Sequence, residues 1–450
     1  MQHLTQILTD LDNWLWGNWL LFVLLGIGGL YTVVTGFVQV RHFPYIIRKT
    51  LLEPLKKRQN DSAESGSISS FQALCTAVAS CVGSGNIVGV STAVLTGGLG
   101  AIFWMWTAAF VGMATKYGEI ILGMLYREKD ETGAYVGGPM YYIKKGLHAP
   151  ALASLCAFFM VIQIIGGNLI QSNTISGVMS DNFGVPALAT GIFLVILIFV
   201  VTLGGLKRLA HVTQNLVPLM AFIYVAGGLI IILLNITKVP GVIADIFTGA
   251  FGLRPMAGGA MGSMMIAMQK GVARGLYSNE AGEGSAPVIH SSASVSHPAE
   301  QGITGVTEVF LDTFVICTIS GLVLGVTGVL DSGVPGNVLM IYAFSSVWKP
   351  LKYLVAFSLL LFCITTLMSQ WYFGFVGLNY LLGRRAAEKF KYIFPVFCIF
   401  GSLAAIDLVW TIQDIALGLL TLPNLLALIV LWPQVRKASR EFWSKNRLHR

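Results

Sequence analysis

The residues of this chain best able to do chemistry lie where charge and polarity are expensive. Lys270 and Arg274 are four apart, as are Glu308 and Asp312, and all four fall within long apolar stretches. Residues four apart share a helical face, and an isolated charge in hydrocarbon is costly. The two stripes of opposite sign are therefore expected to pair, either as a gate or as a static strut. QIIGGNLIQSNTIS (163–176) puts Gln163, Gly167 and Gln171 on one face, with Asn168 beside it. Such a stripe must face a polar interior, where it lines a site or bridges helices through bonds of about 1 kcal/mol each. CITTLMSQWYFG (363–374) holds Thr365, Thr366, Ser369 and Gln370 within two turns. Hydroxyl oxygens with free carbonyls suit a hard monovalent cation such as Na+. The alternative is that they bond back to their own helix.

CVGSGNIVGV (81–90) raises a different point. Gly83, Gly85 and Gly89 are poor helix formers, and Asn86 carries an amide that hydrocarbon cannot solvate. An interrupted helix leaves backbone groups unpaired at several kcal/mol each in lipid, so the break must face protein or a wet cavity. There, free N–H groups and helix ends bind carboxylates and ions. Close helix packing also accounts for Gly85 and Gly89.

These positions must be held by membrane helices. The chain is 55% hydrophobic and 11% charged, where soluble domains run near a quarter charged. Apolar stretches of spanning length recur throughout. They give eleven spans, at about 19–40, 69–97, 100–126, 150–179, 187–205, 212–236, 257–282, 301–328, 350–380, 392–411 and 414–433. They do not alternate as strands of a β-barrel would. Trp14, Trp16 and Trp19 form an interfacial belt before the first span, and no basic leader precedes it. With the N-terminus outside, 22 of the 29 basic residues fall in inner loops and the tail. The positive-inside rule therefore places the N-terminus outside and the C-terminus in the cytoplasm. The net charge of +8 faces anionic lipid rather than nucleic acid. The stretches 56–70, 253–259 and 333–338 read as connections, and Lys116 and Glu119 as interfacial residues.

The second interrupted span, 257–282, is broken by glycine near Gly271 and Gly275. Each interrupted span opens a block of five, and the two blocks enter from opposite sides. That is an inverted-topology repeat, whose paired breaks mark a transporter's midplane site. There is no nucleophile elbow, zinc-protease motif or Walker A loop, and the glycines at 83–89 follow no strand. Enzymatic and ATP-driven functions are thereby excluded. The six cysteines lack metal spacing and read as reduced packing residues.

In order along the chain, GSGNIVGVSTA (83–93), GGLGAIFWMWTAAFVGMATKY (97–117), GGPMYYIKKGL (137–147), GGNLIQSNTIS (166–176), GVARGLYSNEAGEGSAP (271–287), EVFLDTFVICT (308–318) and LPNLLAL (422–428) resemble the alanine-or-glycine:cation symporters. The resemblance covers most of residues 67–430. It implies an all-α integral membrane protein of eleven helices with the leucine-transporter fold. Residues 1–66 would hold an extra helix and cytoplasmic linker, 67–236 the first repeat, 256–434 the inverted second repeat and 435–450 a basic tail. It implies Na+-driven uptake of a small neutral amino acid across the inner membrane, with H+ in some members and no cofactor beyond the coupling ion. The carbonyls of Ala79 and Val82 and the hydroxyls of Thr365 and Thr366 match the family's sodium site. The N–H groups of Gly83, Ser84 and Gly85 would take the substrate carboxylate. Asn86, Asn168, Gln171, Thr366 and Gln370 would line the pocket, with Met265 to Gln269 approaching from the second interrupted span.

Two departures bear on the substrate. Cys81 stands where the family usually has Thr, and Gln370 near where it has Trp. A more polar wall admits a larger polar amino acid such as glutamine. Two further readings remain open: proton coupling through Glu308 or Asp312, and a sensor that binds amino acid without moving it. The sequence sets no oligomeric state.

Overall fold

The computed structural model describes residues 2–56, 67–252 and 259–447. The connections expected at 56–70 and 253–259 fall largely outside them. The described chain is almost wholly helical. A short N-terminal helix α1 (Gln2–Leu15) leads into α2 (Asn18–Val34). Next comes an interrupted pair, α3 (Ser70–Cys81) and α4 (Val90–Gly97), followed by α5 (Gly100–Tyr126). The helices α6 (Pro150–Phe183), α7 (Ala187–Leu203) and α8 (Gly205–Leu234) complete the first half. The second half opens with α9 (Gly259–Asn279) and α10 (Ala286–His290). It continues with α11 (Pro298–Val309) and α12 (Thr318–Thr327), then α13 (Leu351–Leu382), α14 (Phe397–Leu403) and α15 (Ile406–Arg447). Among the described residues, seven helices are long and apolar enough to cross a membrane, and the bent pair at 70–97 makes an eighth. This is a multi-pass membrane protein.

Local sequence explains the helix ends. Ser69 caps α3: its Oγ accepts from the Gln72 N–H at 3.2 Å, and Gln72 Oε1 accepts from the Ser69 N–H at 3.0 Å. This reciprocal box satisfies two of the donors every helix start leaves open. Pro150 and Pro298 open α6 and α11, where a missing N–H costs nothing.

The helices α2 and α15 run parallel. Trp16 Nε1 donates to Asp414 O at 2.9 Å, Tyr31 Oη to Leu428 O at 3.0 Å, and Tyr45 Oη approaches Asn446 Oδ1 at 3.5 Å. The chain therefore starts at one end of the bundle and finishes at the other. Of the aromatic belt, Trp14 and Trp19 are exposed, but Trp16 is buried in this seam.

The first break falls where the glycines place it. The helix α3 stops at Cys81, Val82 turns to an extended conformation (φ −78°, ψ 91°), and the chain restarts through π-helical turns at Gly85–Gly89. The two halves meet at 49°. The second break does not lie near Gly271 and Gly275. Helix α9 runs unbroken to Asn279, and the chain leaves it through Glu280 (φ 55°), Gly282 (φ 97°) and Gly284 (φ 92°). Gly271 instead gives α9 its close approach to α5, since a Cβ there would lie 2.3 Å from Ala101 O. Every residue from 73 to 91 and from 278 to 293 is buried. Both breaks are thus enclosed by protein, the condition under which irregular backbone survives at membrane depth.

Candidate functional site

At the first break two backbone donors are held by side-chain amides. The Gly83 N–H donates to Asn86 Oδ1 at 3.0 Å, and the Ser84 N–H donates to Gln171 Oε1 at 3.2 Å. Gln171 reaches the break from α6, and Tyr277 of α9 lies against Gly85. Two amide oxygens therefore stand where the two oxygens of a carboxylate could sit. Asn86 turns its other end away from this corner, donating from Nδ2 to Asp312 Oδ1 at 2.6 Å. It shapes the break rather than lining an open pocket.

Beside these donors lies a corner rich in oxygen. Thr366 Oγ1 is 3.0 Å from Ala79 O, 3.2 Å from Val82 O and 3.0 Å from Phe362 O. One hydroxyl proton serves one acceptor at a time, so acceptors outnumber donors here. The carbonyls of Ala79 and Val82 belong to the C-terminal end of α3, the negative end of its dipole. Uncompensated carbonyls of this kind attract a cation. Thr365 is not part of the corner. Its hydroxyl bonds within its own helix, 3.0 Å from Leu361 O and 2.9 Å from Phe362 O, and approaches Met220 Sδ of α8 at 3.4 Å. Ser369 Oγ is buried with no partner among the described residues.

A wall of amides continues from Gln171 along α6. Gln370 packs on the bare backbone of Gly167, where a Cβ would lie 2.6 Å from its Oε1. Gln413 packs likewise on Gly166. Among the described residues, the buried side-chain oxygens of Gln163, Gln370 and Gln413 have no hydrogen-bond partner. Asn168 points elsewhere, donating to Phe394 O at 3.0 Å. Met265 and Gln269 also lie away from the break. Gln269 Nε2 donates to Trp16 O at 3.0 Å, and Met265 packs in a cluster with Leu21 and Met268. The sequence sets them near the site because glycine content puts the second break too early in α9.

The charged stripes do not pair with each other. Arg274 makes a two-pronged ion pair with Asp414 of α15, both contacts at 2.9 Å, and stacks 4.6 Å from the Trp410 ring. Lys270 is exposed. Glu308 binds Lys116 Nζ at 2.5 Å and His290 Nε2 at 3.2 Å. Asp312 takes Asn86, Ser278 Oγ at 2.9 Å and Thr313 Oγ1 at 2.8 Å. It sits in π-helical turns at Phe310–Cys317 that face the first break. Each stripe finds its partner on another helix, Arg274 on α15 and Glu308 on α5.

Lys116 and Glu119 are fully buried, not interfacial. Lys116 Nζ also donates to Asn279 O at 2.6 Å and approaches Cys81 Sγ at 3.4 Å. Cys81 Sγ in turn donates to Glu308 Oε1 at 2.7 Å. One ammonium therefore joins the ends of both interrupted helices to α11. Glu119 braces the second break, accepting from the Gly282 N–H at 3.2 Å and from Asn424 Nδ2. All six cysteines are buried and unpaired as disulfides.

Position along α15 sets the order through the bundle. Asp414 and Asn424 are ten residues apart, about 15 Å of helix. The Arg274 pair thus lies toward the end where α2 begins, and the Glu119–Asn424 contact lies nearer the middle of α15.

The crowding at Gly83 gives an expected result. A Cβ there would lie 2.6 Å from Thr366 Oγ1 and 3.1 Å from Gln171 Nε2. Gly83→Ala should cost about 1–3 kcal/mol by overpacking and displace both side chains. The thermal unfolding midpoint of the purified protein should fall accordingly; an unchanged midpoint would mean that the corner repacks without cost.

The family model for the sodium:alanine symporter family matches residues 1–449. A sodium/alanine symporter of Methanococcus maripaludis is 37% identical, with 97% of this chain and 96% of that protein aligned. A probable sodium/glutamine symporter of Bacillus subtilis is 35% identical, with 98% and 91% aligned. Among solved structures, a manganese transporter mutant from Eremococcus coleocola superposes with a TM-score of 0.54 at 14% identity, covering 80% of this chain and 75% of that one. That likeness extends to the fold alone. Matched along nearly its whole length by a family of carriers rather than enzymes, the chain belongs to the sodium:alanine symporter family.

Proposed function

We propose that this protein takes up a small neutral amino acid of the alanine and glycine class together with Na+, by alternating access in the inner membrane. The observation that carries this reading is the corner where Ala79 O, Val82 O and Thr366 Oγ1 converge beside the Gly83 and Ser84 N–H groups. Na+ would take the two carbonyls and the hydroxyl. The substrate carboxylate would displace the Gln171 amide from Ser84 and lie next to the ion, so each binds better with the other present. Thr365 has no part in this ion site.

In this reading α7, the α9–α10 pair and the chain through α14 supply three further crossings, giving eleven with two five-helix repeats of opposite sense. The basic inner loops put the N-terminus outside. Arg274 and Asp414 then form the outer gate, and Lys116, Glu308 and His290 the inner brace. Both ion pairs are formed, which supports the reading of an occluded state between two open ones.

A second reading concerns the substrate. Gln370 leaves a buried amide oxygen without a partner. A substrate carboxamide could pair with it, and one relative's name carries glutamine. Thermal unfolding of the purified protein with single amino acids, in sodium or choline chloride, tests both readings. Alanine and glycine should raise the midpoint only in sodium. If glutamine raises it too, Gln370→Leu should abolish the glutamine response and spare that to alanine. Equal shifts in choline would contradict coupling to Na+.

A further inference from the structure

The end of the bundle where the chain finishes carries a basic cavity that shares no residue with the first break. It encloses about 630 Å³ between the turn after α2 and the last turns of α15. Arg41 enters from the turn, and Arg436 and Arg440, four apart, enter from one face of α15. Trp432 and Trp443 extend the same stripe. The Trp443 ring stacks on His42 at 3.6 Å and 7°, and Arg436 lies 6.0 Å from the Trp432 ring. Among the described residues none of the three arginines forms an ion pair with a carboxylate.

Three uncompensated guanidiniums in one recess call for an anion, and the fork of each matches phosphate oxygens. The surroundings say which kind. Val33 and Val34 line the mouth, Val33 is 65% exposed, and the exposed Ile429 lies about one turn before Trp432 on the same face. The recess therefore opens onto an apolar surface, where acyl chains rather than water would lie. Tryptophan and arginine together at this depth fit the headgroup layer.

We propose that this cavity binds the phosphate headgroup of an anionic phospholipid, with Arg41, Arg436 and Arg440 on the phosphodiester and the acyl chains along Val33 and Ile429. Bound there, the lipid bridges α2 to α15 and fixes the N-terminal helix to the rest of the bundle. The inference rests on the membrane placement of the protein and not on the identity of its substrate or ion.

Purified full-length protein, stripped of lipid in a neutral detergent, is titrated with phosphatidylglycerol, phosphatidylcholine or inorganic phosphate. Bound lipid is counted by native mass spectrometry and unfolding is followed thermally. Phosphatidylglycerol should bind and raise the unfolding midpoint; phosphatidylcholine and inorganic phosphate should not. Arg41→Gln, Arg436→Gln and Arg440→Gln combined should weaken phosphatidylglycerol binding at least tenfold. Lys437→Gln with Lys445→Gln, which removes two nearby charges outside the cavity, should leave it unchanged. Should the triple variant not fold, Arg436→Gln alone should weaken binding at least threefold. Undiminished binding in the arginine variants, an equal loss in the lysine variant, or equal protection by inorganic phosphate would each overturn the proposal. No gradient is involved, so a failure of the transport reading would leave this result intact.

Discussion

Lys116→Met should strongly destabilise the protein and abolish uptake. The lysine is fully buried, and its ammonium holds Glu308 at 2.5 Å and Asn279 O at 2.6 Å. Without it the Glu308 carboxylate keeps, among the described residues, the His290 ring and the Cys81 thiol. Removing one partner of a buried ion pair costs about 3–5 kcal/mol, because the other charge is left without compensation. Replacing both partners by apolar residues is far milder. Lys116→Met with Glu308→Leu should therefore recover most of the lost thermal stability. Uptake should not return, because Lys116 and Glu308 link the ends of both interrupted helices to α11. Thermal unfolding and liposome uptake on the three variants check this. A single variant with wild-type stability and uptake would remove the brace from the account.

Thr366→Val should raise the sodium concentration for half-maximal uptake at least tenfold, while Thr365→Val changes it less than threefold. The substitution keeps the shape and removes the oxygen nearest to Ala79 O and Val82 O. Tenfold corresponds to about 1.4 kcal/mol, a modest demand for one ligand of a small cation. Thr366→Ser, which restores the hydroxyl, should recover most of the sodium affinity. Thr365 is the internal control because its hydroxyl bonds its own helix and faces Met220. Equal losses in the two valine variants would place the ion elsewhere.

The first break was legible in the sequence because three glycines and an asparagine interrupt an apolar run there. The oxygen corner was legible in part. Spacing places Thr365 and Thr366 on adjacent positions 100° apart on a helix, and only packing decides which one meets α3. The second break was misread because glycine alone does not separate a packing face from a chain reversal. Gly271 serves the close approach to α5, while Glu280, Gly282 and Gly284 carry the positive φ angles. The ion pairs were misassigned for a similar reason. Periodicity puts Glu308 and Asp312 on one face but says nothing of partners nearly 200 residues away, such as Lys116. Asp414, adjacent to Gln413 at the start of the last helix, carried a signal of its own: an acidic residue early in an apolar span needs a partner, and Arg274 supplies it.

The proposed ion and carboxylate sites share the first break, and the proposed barriers are the Arg274–Asp414 and Lys116–Glu308 pairs. The proposed cycle opens these barriers alternately, and the Na+ gradient sets the direction. The central claim is that the amino acid and Na+ move together through this break. The most direct test is accumulation of labelled alanine by liposomes holding the purified protein, with an inward gradient of Na+, of K+ or of H+. Transient accumulation above the outside concentration with Na+ only, reduced at least tenfold by Gly83→Ala, is the expected result. Accumulation that persists without Na+ under a proton gradient, or equilibration that no gradient can drive uphill, would contradict it.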